Sequence, residues 1–192
     1  MEIWSNLGRE YLHSKGIVED IEKVLEEIAS LTMSESAELF VERFSLLSNA
    51  NIVAREMNCI MEEHYKNDIS LKKGMKKYLE TLRKSGVRMC VVSATKEYLM
   101  ELCLERLEVL HYFDFIYSCE SMTTNKRESK IYLKASSRFH AAPEEMAVYE
   151  DALYAVKTAK KAGFYVVGVY DEYSNKQWKQ ICDIADEVII LN

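Results

Sequence analysis

Ala147-Val148-Tyr149-Glu150-Asp151 is the stretch from which the fold can be read. A short apolar run stops at two adjacent carboxylates. A helical segment follows from Leu153 to Ala162, and Ala162-Gly163 opens a second apolar run, Phe164 to Tyr170. Strand, helix and strand in this order describe a parallel crossover unit. In open α/β sheets, ligands bind just beyond the carboxyl ends of the strands. Two acids at such an end suggest a divalent cation site, because hard cations take carboxylate oxygens.

Working outward, the same alternation extends in both directions. Upstream, helices are expected over Gly74 to Ser85, Glu97 to Leu110 and Ile131 to Phe139, with strands over Val87 to Val92, Phe113 to Tyr117 and Met146 to Tyr149. Pro143, the only proline, fits the turn before the last of these. Downstream, Trp178 to Ala185 reads as a helix and Val188 to Leu191 as a strand. Residues 69–192 therefore predict an α/β domain, a Rossmann-like three-layer parallel sheet with helices on both faces. Residues 1–68 have a different texture. Ile3, Leu7, Tyr11 and Leu12 recur at helical spacing, as do Ile17, Ile21, Val24, Leu25 and Ile28. Ser34 is a candidate cap for a helix carrying Leu39, Phe40, Phe44 and Leu47, and a fourth helix is expected from Asn51 to Tyr65. Four short amphipathic helices predict a small bundle.

Composition excludes several classes. The chain of 192 residues is 48% hydrophobic and 29% charged, enough to bury a core. A formal net charge of −6 and the lack of a basic aromatic face argue against nucleic-acid binding. No apolar stretch is long enough to span a membrane, and the first residues show no signal-peptide pattern. The five cysteines form no CxxC and several lie in apolar runs, which reads as buried reduced thiols in a cytoplasmic protein.

Three groups fall at strand ends. Ser93 follows Val91-Val92 and begins Ser93-Ala94-Thr95-Lys96; Lys126 precedes the Ile131 helix; Glu150-Asp151 follows Val148-Tyr149. A hydroxyl that donates to a phosphoryl oxygen, an ammonium that neutralises it and acids that hold Mg²⁺ make a site for a phosphate and a metal. Thr95 and Lys96 are further candidates for substrate phosphate. Lys130 competes with Lys126 but falls on the helix, and Asp171 ends the next strand. Trp4 and Tyr11 read as helix-face aromatics of the core.

These motifs resemble the haloacid dehalogenase-like hydrolases, specifically the phosphatase and phosphoglucomutase branch with a helical cap. Ser93 matches that family's serine or threonine after the second core strand. Lys126-Arg127-Glu128-Ser129-Lys130-Ile131-Tyr132 fits the frame K-P-x-P-x-I-F/Y, and Glu150-Asp151-Ala152 fits E-D-S/A. Each motif is weak alone, but their order and context are specific. The resemblance covers nearly the whole chain. It implies a Mg²⁺-dependent phosphatase or phosphomutase of a small phosphorylated metabolite, in which an aspartate attacks phosphorus and forms an aspartyl phosphate. Residues 1–68 would be the cap domain. Ser93 and Lys126 would be catalytic, Thr95 and Lys96 substrate-binding, and Glu150 and Asp151 metal ligands.

Departures from the pattern carry expectations of their own. Arg127 and Ser129 replace two prolines, which predicts a looser loop. The family's first motif, a strand ending D-x-D-G-T/V, has no match here, and its first aspartate is the nucleophile. Met1 to Leu12 resembles the segment after that motif, so the chain is expected to begin about 20 residues late and to have little or no turnover, with Mg²⁺ binding weak or absent. The missing strand would lie at the centre of the sheet, between the strand ending at Ser93 and the one ending at Tyr149. Two unpaired inner edges then predict instability, filling by another segment, or self-association. The rival reading is a catalytically dead protein of the same fold that binds a phosphorylated ligand or a partner.

Overall fold

The computed structural model describes residues 2–28 and 31–191, with side chains from residue 6 onward. Two compact units divide the chain, Met1–Asp68 and Ile69–Asn192. The side chain of Trp4 lies outside the described residues.

The first unit is built from α1 (Glu2–Ser14), α2 (Glu22–Ile28), α3 (Met33–Phe44) and α4 (Ala50–Asn67). The cap of α3 corrects the sequence reading. Thr32, not Ser34, is the N-cap: its hydroxyl accepts the Glu35 N–H (3.3 Å), and the Glu35 carboxylate accepts the Thr32 N–H (2.7 Å). This reciprocal box satisfies two of the donors that a helix start leaves unpaired. Ser45, with φ 48°, ends the helix in the left-handed region, so Leu47 falls outside it and is fully exposed. Asn49 caps α4 by accepting the Ile52 N–H (3.0 Å). The apolar faces meet in a core of Leu12, Val24, Phe40, Val53, Met57 and Met61, with Tyr11 stacked on Phe40 at 6.0 Å between centroids. The Tyr11 hydroxyl ends on the Glu56 carboxylate (2.9 Å), which also pairs with Lys15.

His64 joins α4 to α1 through a second polar contact. Nε2 lies 2.7 Å from Glu10 and Nδ1 2.7 Å from Asp68. The Glu10 bond holds the imidazole above its ordinary range, burial opposes this, and Asp68 adds to it. The folded state therefore binds this proton more tightly than the unfolded chain. Its stabilisation is full below about pH 6.5 and is lost as pH rises through the raised folded value. Because both carboxylates are well exposed, the effect should be about 0.5 kcal/mol. Denaturant midpoints measured from pH 5.5 to 8.5 should fall more steeply with pH in the parent than in His64→Gln; parallel curves would contradict the assignment.

The second unit runs α5 (Met75–Lys84), β1 (Cys90–Ser93), α6 (Glu97–Arg106), β2 (Phe115–Ser118), α7 (Lys130–Phe139), β3 (Ala147–Glu150), α8 (Leu153–Lys161), β4 (Tyr165–Val169), α9 (Asn175–Ile184) and β5 (Glu187–Ile189). All pairings are parallel. Side chains alternate across a strand, and β1 shows which helices cover each face. Met89, just before it, packs with Leu79 of α5 and Val109. Cys90 and Val92 pack instead on the cluster containing Ile131 and Ala135 of α7, Val156 of α8 and Ile181 of α9. This is a helix–sheet–helix arrangement. Gly163 turns the chain from α8 into β4 with φ 90°, a conformation costly for residues with a Cβ. Gly168 serves a different need: a Cβ there would lie 2.7 Å from the Ile181 side chain, so its absence lets α9 approach β4 closely.

The sheet is in two pieces. β1 pairs with β2, and β3-β4-β5 form a separate group. The break falls between β1 and β3, where the sequence reading leaves a central position vacant. β1 is also shorter than the apolar run from Val87, because its partner strand begins at Phe115, opposite Cys90.

Candidate active site

Glu150 is the last residue of β3 and is only 6% exposed. The chain buries a carboxylate there because two donors meet it. Lys126 Nζ lies 2.6 Å from Oε1, and the Tyr132 hydroxyl donates to the same oxygen at 2.9 Å. Burial is the largest influence and raises the Glu150 carboxyl above its ordinary range; Lys126 and Tyr132 pull it back without cancelling the rise, and Asp151 adds a small push upward. Burial also raises the Tyr132 hydroxyl, as does the nearby charge of Glu150, so it acts as a neutral donor. Lys126, in the loop after β2, thus links the segment that follows one piece of sheet to the carboxyl end of β3 in the other.

The loop that carries Lys126 lacks the family's prolines but has other restraints. Asn125 Oδ1 accepts the Arg127 N–H (2.8 Å). The Glu128 carboxylate accepts from Thr124 and Asn125, both at 3.1 Å. The Arg127 guanidinium covers the Tyr154 ring at 4.6 Å. Hydrogen bonds and a cation–π contact thus hold the backbone where proline would fix φ.

Ser93 ends β1, and its hydroxyl accepts the Thr95 N–H (3.2 Å). This small turn buries Thr95 and brings the half-buried Lys96 to the start of α6. Cys119 stands between this group and the Lys126–Glu150 pair. Its N–H donates to the Ser93 carbonyl (2.8 Å). Its thiol, raised chiefly by burial, also senses the charges of Lys126 and Glu150. Asp151 follows Glu150 in the turn and is half-buried. Lys130 lies exposed at the start of α7. Asp171 is occupied: Lys72 lies 2.8 Å from its carboxylate, which also accepts the Tyr173 N–H. Burial pushes the Asp171 carboxyl up, but these partners hold it below its ordinary value.

The donor set for a metal is thin. Among the described residues no group of three or more histidine, cysteine or carboxylate side chains converges as ligands. Glu150 already meets an ammonium at 2.6 Å, which leaves Asp151 as the carboxylate at this edge available to a cation. The residues present do not by themselves make a Mg²⁺ centre. Tyr132 and Cys119 are the members of the constellation that sequence reasoning missed. Tyr132 occupied the last position of the lysine motif without a role, and nothing signalled Cys119.

The parallel strands, the helices on both faces and the lysine–carboxylate pair at the carboxyl edge define a Rossmann-like α/β domain. The sequence profile of the haloacid dehalogenase-like hydrolases matches residues 9–169, and the chain belongs to that family. A phosphoglycolate phosphatase of Nitrosospira multiformis is 28% identical over 118 residues, which is 61% of this chain and 51% of that protein. A phosphorylated carbohydrates phosphatase of Thermotoga maritima is 28% identical over 90 residues, 47% of this chain and 42% of its own. The chain thus spans about half the length of the curated relatives it matches. Among solved structures, a Thermotoga maritima chain assigned to the beta-phosphoglucomutases superposes with a TM-score of 0.80 at 19% identity, covering 98% of this chain and 87% of that one. No described helix is long and apolar enough to cross a membrane.

Proposed function

We propose that this chain is the helical cap and α/β core of a phosphatase, or a phosphomutase, acting on a small phosphorylated metabolite. The observation that carries this reading is the buried Lys126–Glu150 pair at the carboxyl edge of a parallel sheet, with Ser93 at the end of the neighbouring piece. Lys126 would neutralise phosphate, Ser93 would donate to a phosphoryl oxygen, and Thr95 and Lys96 would hold the substrate. Asp151 would be the carboxylate for Mg²⁺, with Glu150 joining only if Lys126 turns toward the phosphate. Support comes from the family and from relatives named as phosphatases of phosphoglycolate and of phosphorylated carbohydrates.

Residues 1–192 hold no D-x-D motif at a strand end, so they should not form an aspartyl phosphate unaided. The test is a panel of phosphorylated metabolites with and without Mg²⁺. The chain alone is expected to show no turnover. Fusing an apolar strand ending in D-x-D-G-T/V ahead of residue 1 is expected to produce Mg²⁺-dependent phosphate release, which Lys126→Met should lower by at least about 100-fold. Vigorous hydrolysis by residues 1–192 alone would refute the assignment of roles.

A second reading, a phospho-ligand-binding protein without catalysis, is favoured by one feature. Glu150 is neutralised within the protein, and no cluster of metal-binding side chains forms among the described residues. Binding of a phosphate ester in the absence of Mg²⁺, with no turnover in the fused chain, would select it.

A further inference from the structure

Arg127, next to Lys126, puts a second cation at the rim of the site, and its contacts limit what that cation can do. Its backbone N–H donates to Asn125 Oδ1 (2.8 Å), which fixes the point from which the side chain leaves. Its exposed guanidinium lies over the Tyr154 ring, 4.6 Å from the centre. Tyr154 is the second residue of α8, the helix that follows the turn at Asp151. Burial acts most strongly on the Tyr154 hydroxyl, and the charges of Lys126, Glu150, Arg127 and Asp151 all reach it. The ring, and the cation resting on it, therefore stand beside the Lys126–Glu150 pair.

The two cations are not equivalent. Lys126 meets Glu150 at 2.6 Å. Among the described residues no carboxylate neutralises Arg127. The adjacent acid, Glu128, accepts from Thr124 and Asn125 instead. Restraint of the loop does not call for a cation, since the bonds of Asn125 and Glu128 brace the same turn. A guanidinium whose face rests on an aromatic ring keeps its N–H edge for another partner. That edge matches two oxygens of one anion through parallel hydrogen bonds.

We propose that Arg127 is a specificity-determining residue that binds a second anionic group of the substrate. The preferred ligand is then a phosphate monoester that carries a carboxylate or a further phosphate close to its ester oxygen. Lys126 takes the phosphate and Arg127 takes the other oxyanion, so the loop after β2 selects the leaving group. This rests on the reading of the Lys126 edge as a phosphate site.

The test titrates the whole chain, without metal, with phosphonates, which lack the ester bond. Phosphonoacetate and phosphonopropionate are compared with ethylphosphonate and propylphosphonate, their twins that end in methyl, and with methylenebisphosphonate. At least one acid or the bisphosphonate is expected to bind about tenfold or more tightly than the alkyl probes. A larger gain for the bisphosphonate than for the acids names phosphate as the second group, and the reverse names carboxylate. Arg127→Gln should erase the gain and leave alkyl binding as it was. Arg127→Lys keeps the charge but not the fork, and should retain part of the gain. Equal binding of all probes by the parent would overturn the proposal, as would a gain that survives Arg127→Gln. Equal weakening of alkyl and acidic probes in Arg127→Gln would also overturn it, because that is the signature of a purely structural role. Lys126→Met combined with Glu150→Gln, which leaves no unpaired buried charge, tests the underlying reading. Alkyl phosphonates should bind this double variant about tenfold more weakly. Undiminished alkyl binding there, or no phosphonate binding by the parent, would overturn the phosphate site and this proposal with it. Weakened alkyl binding there, with no gain for a second anion in the parent, would overturn this proposal alone.

Discussion

Replacing Lys126 by Met is expected to cost about 3–5 kcal/mol of stability at pH 7, because it leaves the Glu150 carboxylate buried with Tyr132 as its remaining donor. The cost is the desolvation of an unpaired charge rather than the loss of a favourable ion pair. Two consequences separate these. First, the deficit should shrink in acid. Glu150 is already raised by burial, and removing the ammonium raises it further. Where the folded carboxyl binds protons more tightly than the unfolded one, stability falls as pH rises from about 4.5 through the folded value. The variant should therefore approach the parent near pH 4.5 and diverge above it. Second, Lys126→Met combined with Glu150→Gln should recover most of the loss, since a neutral amide can still accept from Tyr132. Urea unfolding of the parent, Lys126→Met, Glu150→Gln and the double variant at pH 4.5, 6 and 8 measures both. An equal deficit at every pH, or none, would show that the pair is not buried as described.

Phe40→Ala should have a comparable effect in the helical unit. Phe40 is fully buried, stacks on Tyr11 at 6.0 Å and meets Phe44 edge-on at 6.3 Å. Truncating such a ring removes its transfer energy and leaves a cavity, together about 3–5 kcal/mol. A helical unit of this size has only a few kcal/mol to lose. Its amides in α1, α3 and α4 should then exchange as in an unfolded segment, while Phe40→Leu should cost about 1–1.5 kcal/mol and leave them protected. Persistent protection of all three helices in Phe40→Ala would mean that the core closes over the cavity or lies elsewhere.

Much of this molecule could be read from one sequence, for reasons specific to each part. Apolar periodicity placed α4, α7 and α8 within a residue or two of their observed ends, because amphipathic faces and strand-ending acids are local signals. Errors arose where the deciding partner was distant or the local signal was misread. Thr32-Met33-Ser34-Glu35 is itself a four-residue capping box, and choosing Ser34 overlooked the acid that makes Thr32 the cap. Leu47 matched the helical repeat, but the left-handed Ser45 had already ended the helix. Val87 looked like strand, yet strand is defined by a neighbour, and β2 begins too late to pair with it. In the site, the lysine and acid motifs were legible. Their direct pairing was not, because residues 24 positions apart meet only after the crossover has folded. Asp114 reads as a turn residue but accepts the Met89 N–H and faces Arg83 and Arg88, and Asp171 is claimed by Lys72 from the other end of the unit.

The five cysteines were expected to be buried alike, and they are not. Cys103 and Cys119 are buried, Cys90 is intermediate, and Cys59 and Cys182 are exposed. Burial pushes the Cys90 thiol up to about 12, so at neutral pH it holds almost no thiolate and reacts slowly. The sulfurs open to solvent therefore lie on α4 and α9. In air, disulfides through Cys59 or Cys182 would join copies covalently and mimic association through the fold. Samples kept under reductant, or carrying serine at both exposed positions, report association through the fold alone, and a labelling experiment that leaves Cys90 unmodified says nothing about whether its strand is covered.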